Sequence, residues 1–531
     1  MSQLYRVRVR SPGTGSPARG RDLAGLGVVP QPSTPEPATP STPPSLELQR
    51  RALAVLTEMA PAAIELGEAF RAAGHELALV GGPVRDAFLG RASNDLDFAT
   101  SASPDETEAI LARWGDAHWD IGKEFGTIGA KRFGRGAPGD DLVVEVTTYR
   151  TDAYDPTSRK PVVAFGDSLE GDLSRRDFTV NAMAVRVPDM TFVDPFDGLG
   201  DLARRVLRTP IAPERSFDDD PLRMMRAARF AAQLEFVVDG GTLAALVLMT
   251  DRIEIVSAER VRDELSKLLC AAAPRRGLEV LVDTGLADHV LPELPALKLE
   301  IDEHHRHKDV YEHSLTVLDQ AIAQETGPDG AVPAPDLVLR LAALLHDVGK
   351  PPTRRFEDGG GVSFHHHEVV GAKMVAKRLK ALRYDKQVVK DVARLVELHL
   401  RFHGYGDGAW TDSAVRRYVT DAGPLLERLH RLTRADCTTR NRRKAQRLRE
   451  SYDDLERRIA DLQAKEELDA VRPDLDGQQI MAILGIRPGP VVGKAYKHLL
   501  ERRLDRGPVD EETARSELLA WWSEQPESSA S

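Results

Sequence analysis

The spacing of apolar residues changes character twice along the chain. From Leu46 to about residue 74 they recur at helical intervals, in LELQRRALAVLTEMAPAAIELGEAFRAAG. Between residues 76 and 195, four short β-like runs alternate with helical stretches: ELALVGG, DLDFAT, DLVVEVTTYR and TFVDP. After about residue 200 nearly the whole sequence has helical spacing. The pattern predicts an α+β domain, with a small twisted sheet flanked by helices, followed by all-α domains.

Composition separates a first segment from the rest. Residues 1–45 contain nine of the 34 prolines and one aromatic residue, Tyr5, which is too little apolar surface to fold. We expect five segments with different roles. They are a disordered Pro/Ser/Thr-rich tail at 1–45, the α+β domain at 46–195, a helical region at 196–300, a histidine-rich helical domain at 301–440 and a helical tail at 441–531.

Charge and cysteine content exclude several classes of protein. The 531 residues include 72 Lys+Arg and 83 Asp+Glu, a net charge of −11, so any nucleic-acid contact must use local basic patches. With only Cys270 and Cys437, neither a disulfide framework nor a cysteine-based zinc site is available. The sequence has no apolar run of about 18 residues and no signal-peptide core. We therefore expect a cytoplasmic protein without a membrane partner.

A first cluster of candidate residues lies in ALVGGPVRDAFLGRASNDLDFAT, which reads as strand, glycine turn, short helix and strand. Gly81 and Gly82 let the backbone approach a phosphate, and Arg85 can donate to phosphate oxygens. Asp95 and Asp97, two apart on a strand, point to one face. This spacing suits two Mg²⁺ ions that activate an attacking hydroxyl and stabilise a leaving pyrophosphate. Alone, Asp-x-Asp would more often be a solvated strand end.

Two later segments extend this candidate site. Glu145, in VVEVTTYR, could supply a third catalytic carboxylate. The segment SRRDFTVNAMA adds Arg175, Arg176, Asp177 and Asn181 as nucleotide-binding candidates. If the segment is helical, the last two are i,i+4 and can meet one ligand, a ribose hydroxyl or a triphosphate. A capped helix with surface arginines would give the same pattern.

A base-reading site is indicated by FDDDPLRMMRAARF. Asp220 is expected to cap a helix with Pro221 in its first turn, and Arg223 shares its face. A carboxylate accepts from an exocyclic amine, while a guanidinium donates to the neighbouring ring nitrogen. Adenine and cytosine present that combination, so the pair predicts acceptance of ATP and CTP and rejection of GTP and UTP. We add Arg226 and Arg229, on the same helix, to the nucleotide-binding set; an ordinary capping Asp beside a surface Arg is the alternative.

Six motifs in order carry a family resemblance: GGPVRD, NDLDFAT, RRDFTVNAMA, VDPFDGLGDL, DDPLRMMRAARF and ERVRDELSKLL. Over about residues 76–270 the chain resembles the class II nucleotidyltransferases, which comprise CCA-adding tRNA nucleotidyltransferases and bacterial poly(A) polymerases. The resemblance implies a nucleotidyltransferase head with Asp95 and Asp97 as metal ligands. It also implies a helical neck in which Asp220 and Arg223 template the incoming base.

The same resemblance assigns further positions. Asp177 falls at the sugar-contacting position. The residues that fall in the segment joining head to neck are Asp194, Asp197, Gly198 and Asp201. Asp219 departs from the family, which usually has Glu there; because the charge is kept, we expect no loss of activity.

Histidines are concentrated in a second region. Ten of the 15 lie between residues 304 and 403, and LAALLHDVGK places His346 beside Asp347 at the end of an apolar helix. A buried His-Asp pair needs partners, and a divalent metal would supply them. The region resembles the HD metal-dependent phosphohydrolase domain, and a vestigial metal-free domain is the alternative. The ligands that the resemblance implies are His313, His346, Asp347 and Asp436, with His367 and His399 for a second metal of unidentified kind. We expect His304, His305, His307, His365 and His366 to be solvated.

A third feature is basic. From Arg428 to Arg449, nine Lys or Arg residues face one acidic residue, Asp436, which favours contact with an RNA backbone over a merely solvated helix face. With tRNA, ATP and CTP as partners, we expect template-independent addition of CCA to the tRNA 3′ end, with a companion HD phosphohydrolase activity. The alternatives are a poly(A) polymerase, a partial CC- or A-adding enzyme, an HD phosphohydrolase acting on RNA ends and a non-catalytic RNA-binding protein.

Overall fold

The computed structural model of the chain describes most residues from Pro61 onward. The described residues are 54, 61–91, 95–120, 122–134, 141–153, 162–166, 168–298, 309–327, 329–357, 361–405, 410–439, 441–466 and 472–526. The expected tail at 1–45 lies outside them, as do His304, His305 and His307.

A seven-stranded mixed sheet forms the first part of the fold, in the order β3-β4-β5-β2-β1-β8-β9. Its strands are β1 Leu77–Val80, β2 Asp95–Thr100, β3 Ala117–Trp119, β4 Thr127–Arg132, β5 Leu142–Thr148, β8 Ala184–Val187 and β9 Thr191–Val193. Among the described strand pairs of this sheet, β2 and β5 are parallel and the others are antiparallel. A separate hairpin joins β6 Arg150–Ala153 to β7 Val162–Phe165.

Helices cover this sheet. They are α1 Pro61–Ala72, α2 Gly82–Phe88, α3 Pro104–Trp114 and α4 Leu169–Ser174. Because side chains alternate along a strand, Phe98 of β2 joins the large core with Phe70 of α1 and Leu111 of α3. Ala99 packs instead in a second core with Leu169 of α4. Asp97, two residues before Ala99, therefore belongs to the α4 face of the sheet.

The expected strand, glycine turn, helix and strand are all present. Strand β1 ends at Val80, and Gly81 then adopts φ 74°, a left-handed conformation that favours glycine. A Cβ at Gly81 would lie 2.9 Å from Nη1 of Arg176. The turn thus brings backbone and the Arg176 guanidinium together at one end of the sheet.

Helices dominate the next hundred residues. They are α5 Gly198–Arg204, α6 Pro213–Asp219, α7 Leu222–Leu234, α8 Gly240–Leu248, α9 Ala258–Leu269, α10 Pro274–Asp283 and α11 Leu286–Val290. Two two-residue strands, β10 Val206–Leu207 and β11 Val237–Val238, pair in parallel beside α7. Helix α7 is buried along most of its length and packs against α9 and α10.

The remaining helices form the histidine-rich region and the tail. They are α12 Val310–Ile322, α13 Leu337–Leu345, α14 Lys350–Thr353, α15 His367–Ala381, α16 Lys386–Leu398, α17 Asp412–Ala422, α18 Leu426–Asp436, α19 Arg442–Glu466, α20 Gly477–Leu484, α21 Pro490–Arg506 and α22 Glu511–Ser523. The strands β12 Arg355–Phe356 and β13 Val362–Ser363 form a small hairpin. Helix α19 shares its core with the preceding helices, whereas α20–α22 have one of their own.

Short 3₁₀ helices connect these elements. They cover Lys123–Phe125, Thr179–Asn181, Thr250–Ile255, Pro295–Leu297, Arg401–Gly404 and Gly423–Leu425. The expected fold class is confirmed: an α+β head is followed by regions that are helical in their described residues apart from the two small strand pairs noted above.

Candidate functional site

A cavity of about 490 Å³ lies where the sheet meets helix α7; we call it the head cavity. The structure brings all eleven nucleotide-binding candidates to its wall. They are Gly81, Gly82, Arg85, Arg175, Arg176, Asp177, Asn181, Asp220, Arg223, Arg226 and Arg229. They come from the start of α2, the segment after α4, the end of α6 and helix α7, so separate parts of the chain build the cavity.

The three candidate catalytic carboxylates lie on neighbouring strands. Asp97 is exposed and lines the head cavity. Glu145 is exposed on β5 and pairs with Asp97 in parallel register, so both side chains point to the same face. Among the described residues, Glu145 does not line the cavity. Asp95 is the first residue of β2, but its side chain lies outside the described residues. An exposed carboxylate pair beside an arginine-lined cavity fits a hard divalent cation.

Asp177 is the centre of the polar network in the cavity. Its carboxylate accepts from the Arg226 Nε at 2.7 Å, the Asn181 amide at 2.9 Å and the Phe178 N–H at 2.8 Å. Burial alone would raise the pKa of Asp177, but the Arg226 guanidinium and these donors hold it at about 2. A 3₁₀ turn at Thr179–Asn181, rather than an α-helix, brings Asn181 to Asp177. The carboxylate is thus a fixed, ionised acceptor.

Arg85 links the glycine turn to this network. Its Nη1 donates to the Asn181 side-chain oxygen at 2.7 Å, while Nε and Nη2 each donate to Asp86 at 2.9 Å. The side chain is buried. Because its charge is already balanced by Asp86, Arg85 can occupy the cavity wall without a bound ligand.

The two side chains of the base-reading pair each have other hydrogen-bond partners. Arg223 donates to the Ser216 hydroxyl at 2.8 Å and to the carbonyl oxygen of Arg175. Asp220 accepts from Arg260 at 3.0 Å and from the Leu222 N–H at 3.2 Å. A carboxylate has about four acceptor positions, so it keeps room for a base amine.

The expected helix start is shifted by one residue. Pro221, and not Asp220, is the N-cap of α7, and Asp220 is the C-cap of α6. Because the fixed φ of proline already suits the entry to a helix, Pro221 takes the N-cap position. Asp220 therefore lies outside α7, and its carboxylate accepts from the Leu222 N–H.

Six wall residues were absent from the expected set: Val80, Phe98, Thr147, Arg150, Phe230 and Gln233. The Phe230 ring lies 4.0 Å from the Arg229 guanidinium carbon and 5.4 Å from that of Arg85, which stabilises both cations. Gln233 accepts from Arg229 at 2.6 Å. Helical periodicity signals both residues, because they follow Arg226 and Arg229 by four positions.

The segment that joins the sheet to the helices is tightly bonded. Asp194 accepts from the Gly198 N–H at 2.7 Å, and Asp201 accepts from the Thr179 hydroxyl at 2.7 Å. Asp197 has a left-handed conformation at the start of α5. A Cβ at Gly198 would lie 2.2 Å from the Thr179 carbonyl oxygen. These residues therefore set the joint, while Asp219 ends α6 nearby.

A second constellation lies among the later helices; we call it the histidine centre. Its residues form two groups in which the candidate ligand atoms lie within 4.8 Å of one another. The groups are His313, His346 and Asp436, and Asp347, His367 and His399. These are the six residues that the resemblance implied. His365 and His366 are exposed, as expected.

The ring orientations in the histidine centre are set by the backbone. The Nδ1 atoms of His346, His367 and His399 contact the carbonyl oxygens three residues earlier at 2.9, 2.8 and 2.6 Å. Their Nε2 atoms therefore point inward, where those of His346 and His367 lie 3.1 and 3.3 Å from Asp347. The Nε2 atoms of His367 and His399 are buried and have no hydrogen-bond partner among the described residues. This is the donor arrangement that a divalent metal occupies.

Burial and charged neighbours shift the pKa values within the histidine centre in opposite directions. Burial would lower the pKa of His346, but Asp347 and Asp436 raise it to about 9. Burial and the neighbouring His346 lower the pKa of His399 to about 3. Burial opposes ionisation of Asp347 too, yet His346 and Lys350 hold its pKa well below the usual range. The two buried imidazoles therefore differ strongly in proton affinity.

The basic segment at 428–449 divides into two parts. Arg428 and Arg434 are paired, to Asp336 at 2.7 Å and to Asp453 at 2.7 Å. The five described Lys or Arg residues at the start of α19 are exposed. They are Arg442, Arg443, Lys444, Arg447 and Arg449. Of the described part of this segment, the start of α19 is open to a polyanion.

Known sequences and structures match most of the chain. Family models match at 77–208 (Poly A polymerase head domain), at 235–297 ("Probable RNA and SrmB- binding site of polymerase A") and at 310–461 (HD domain). The A-adding tRNA nucleotidyltransferase of Deinococcus radiodurans is 35% identical over 457 residues, which are 85% of this chain and 96% of that one. The CCA-adding enzyme of Levilactobacillus brevis is 41% identical over 231 residues, 43% of this chain and 55% of that one.

The fold has solved counterparts. A crystal structure of the Bacillus stearothermophilus CCA-adding enzyme in complex with CTP has a TM-score of 0.59 at 24% identity, covering 89% of this chain and 97% of that one. Within the described ranges, no helix is both long and apolar enough to cross a bilayer.

Proposed function

This chain belongs to the tRNA nucleotidyltransferase family, and we propose that it adds CCA to the 3′ end of tRNA from CTP and ATP in the cytoplasm. The observation that carries the proposal is the head cavity. Its wall combines an exposed strand carboxylate, Asp97, with a phosphate-binding turn and the candidate base readers. We also propose the domain division given by the sequence: tail 1–45, head 46–195, neck 196–300, HD domain 301–440 and helical tail 441–531.

The residues divide the work of the reaction. Asp95, Asp97 and Glu145 are the proposed ligands of two Mg²⁺ ions, which would activate the terminal hydroxyl and neutralise the triphosphate. Arg85, Arg175 and Arg176 would bind phosphate oxygens beside Gly81 and Gly82. In the same wall, Asp177, Asn181 and Arg226 form a bonded unit that can orient the sugar.

Base selection would occur at the start of α7. The Asp220 carboxylate accepts from the amine of adenine or cytosine, and the Arg223 guanidinium donates to the adjacent ring nitrogen. Guanine and uracil present a carbonyl instead and leave the carboxylate without a donor. Arg229 and Phe230 support this wall through their stacked contact at 4.0 Å.

The test is incorporation on a tRNA transcript that lacks CCA, resolved at single-nucleotide length. We expect growth by two residues with CTP alone and by three with CTP and ATP together. Because a relative that matches over most of the chain is A-adding, the second candidate is a partial enzyme. An A-adding enzyme would extend a transcript that already ends in CC by one residue with ATP, and it would not extend a transcript that lacks CCA. A long ladder with ATP alone would establish a poly(A) polymerase.

A companion phosphohydrolase activity is proposed for the histidine centre. The six buried donors support a site for one or two divalent metals, and such a site can remove a phosphate or a 2′,3′-cyclic phosphate from damaged tRNA ends. His346→Ala should abolish this hydrolysis and spare nucleotide addition. Unchanged hydrolysis in that variant would exclude the histidine centre as its source.

A further inference from the structure

A second cavity, of about 470 Å³, lies between α12, the residues after α18 and the start of α19. It has the size of a small-ligand pocket. It shares no lining residue with the head cavity. Its wall carries the amides of Gln320 and Gln324, the hydroxyls of Thr438 and Thr439 and the guanidinium of Arg449. These groups are the donors that phosphate and ribose oxygens accept from.

The charge of this cavity resides on Arg449. Arg434 also lines it, but its guanidinium is bound by Asp453 at 2.7 Å and by Glu456 at 2.9 Å. Arg449 is exposed, and among the described residues no carboxylate forms an ion pair with it. An anion entering the cavity would therefore meet one cation whose charge the protein has not already balanced.

The cations of α19 continue outward from the cavity. One face of α19 carries Arg442, Ala445 and Arg449, which are spaced i, i+3 and i+7. Ala445 and Arg449 line the cavity. Arg442 lies about 10 Å further along that face. Cations at a helix N-terminus oppose the helix dipole, so helix stability does not account for them. A single phosphate would contact one of these two arginines, whereas a polymer with several phosphates would engage both.

The cavity also adjoins the histidine centre. The Thr438 hydroxyl, part of its wall, lies 3.2 Å from Nδ1 of His313. The neighbouring Asp436 is one of the six candidate ligands. A strand of RNA bound in the cavity would therefore pass within one side chain of that centre.

We propose that this second cavity, together with Arg442, is a phosphate-binding subsite for an RNA backbone, separate from the site of nucleotide addition. The proposal deepens the proposed function, on which it rests for RNA as the ligand. Under this proposal, the HD domain and the start of α19 bind the RNA backbone at a site of their own.

The test is equilibrium binding of the full chain to a tRNA transcript lacking CCA, measured between about 50 and 200 mM KCl. Arg449→Gln should lower the slope of log affinity against log salt by about 1, and Arg442→Gln should lower it by a similar amount. The matched control is Arg457→Gln, an exposed arginine further along α19 that pairs with Asp454, and its slope should equal that of the wild type. Nucleotide addition at saturating tRNA should be unchanged in the Arg457→Gln control.

Two results would overturn the proposal. The first is a wild-type slope for both Arg449→Gln and Arg442→Gln. The second is calorimetric binding of AMP that disappears in Arg449→Gln while the RNA slope stays unchanged, since the cavity would then be a mononucleotide site. A wild-type chain that binds RNA with the expected slopes but does not extend tRNA would contradict the proposed function and leave this subsite standing.

Discussion

The head cavity and the histidine centre both gather charged side chains, but they balance charge differently. In the head cavity, Asp177 and Arg226 neutralise each other, and Arg85 is bound by Asp86. In the histidine centre, His367 and His399 keep buried ring nitrogens without a hydrogen-bond partner among the described residues. The charges of these head-cavity residues are thus balanced within the protein, whereas the histidine centre presents buried donor atoms that a divalent cation would bind. The difference predicts that ligands will change activity at the first site and stability at the second.

The largest effect is expected at the exposed carboxylate of the head cavity. Asp97→Asn should reduce nucleotide addition by about 1000-fold or more, because it removes a proposed ligand of both metals. Its melting temperature should stay at the wild-type value, since the side chain is exposed. Incorporation and thermal unfolding are the measurements. Asp105→Asn, at a surface aspartate paired with Lys123, is the control, and a loss of addition in it would undermine the assignment.

Base discrimination should respond next. Asp220→Ala should narrow the preference for ATP and CTP over GTP and UTP by about tenfold or more, because the carboxylate that accepts from the base amine is gone. The measurement is kcat/KM for each of the four nucleotides. Asp218→Ala removes an exposed carboxylate two residues earlier, paired with Arg252, and should leave the preference intact. If Asp220→Ala and Asp218→Ala discriminate equally among the four nucleotides, Asp220 takes no part in base selection.

Metal should stabilise the histidine centre in particular. At 100 times its dissociation constant, a bound divalent cation adds about 2.7 kcal/mol to the free energy of unfolding. Thermal unfolding with Mn²⁺ and with EDTA measures this. Asp97→Asn should keep the response, and His399→Ala should lose it because it removes one buried ligand. If His399→Ala responds as the wild type does, the stabilising cation is bound elsewhere.

Acid should weaken the head cavity through Asp177. Its folded pKa of about 2 is below the ordinary value of 3.8, so its stabilisation is complete above about pH 4. It is lost as the pH falls toward 2, and it amounts to about 2 kcal/mol. Urea unfolding between pH 5 and pH 2.5 should show a smaller acid loss in Asp177→Asn than in the wild type. Asp189→Asn, at an exposed surface pair, should behave as the wild type; a matching change there would mean that general surface charge dominates.

Much of both sites could be predicted from the sequence because their residues lie in short motifs. GGPVRD and RRDFTVNAMA contain residues that line the head cavity. The six candidate ligands of the histidine centre follow from their residue types and the HD resemblance. Partners distant in sequence could not be predicted. Arg260 reaches Asp220 across 40 positions, and Arg223 binds the carbonyl oxygen of Arg175, 48 positions away.

Strands β4 and β8 also could not be predicted from the spacing of apolar residues, for identifiable reasons. Strand β4 contains Gly129, where a Cβ would lie 2.0 Å from the Trp119 ring, so the packing of this ring requires glycine. A glycine interrupts the alternation of apolar residues by which a strand is predicted. Strand β8 is four residues long and includes a polar Arg186. Pairing within the sheet, and not local periodicity, fixes both strands.

The central claim is that nucleotide addition belongs to the head cavity and is independent of the histidine centre. The most direct measurement compares Asp97→Asn with His346→Ala in one assay, extension of a tRNA lacking CCA with CTP and ATP at single-nucleotide resolution. The account predicts three added residues for His346→Ala and none for Asp97→Asn. Extension by Asp97→Asn, or its loss in a folded His346→Ala chain, would contradict it.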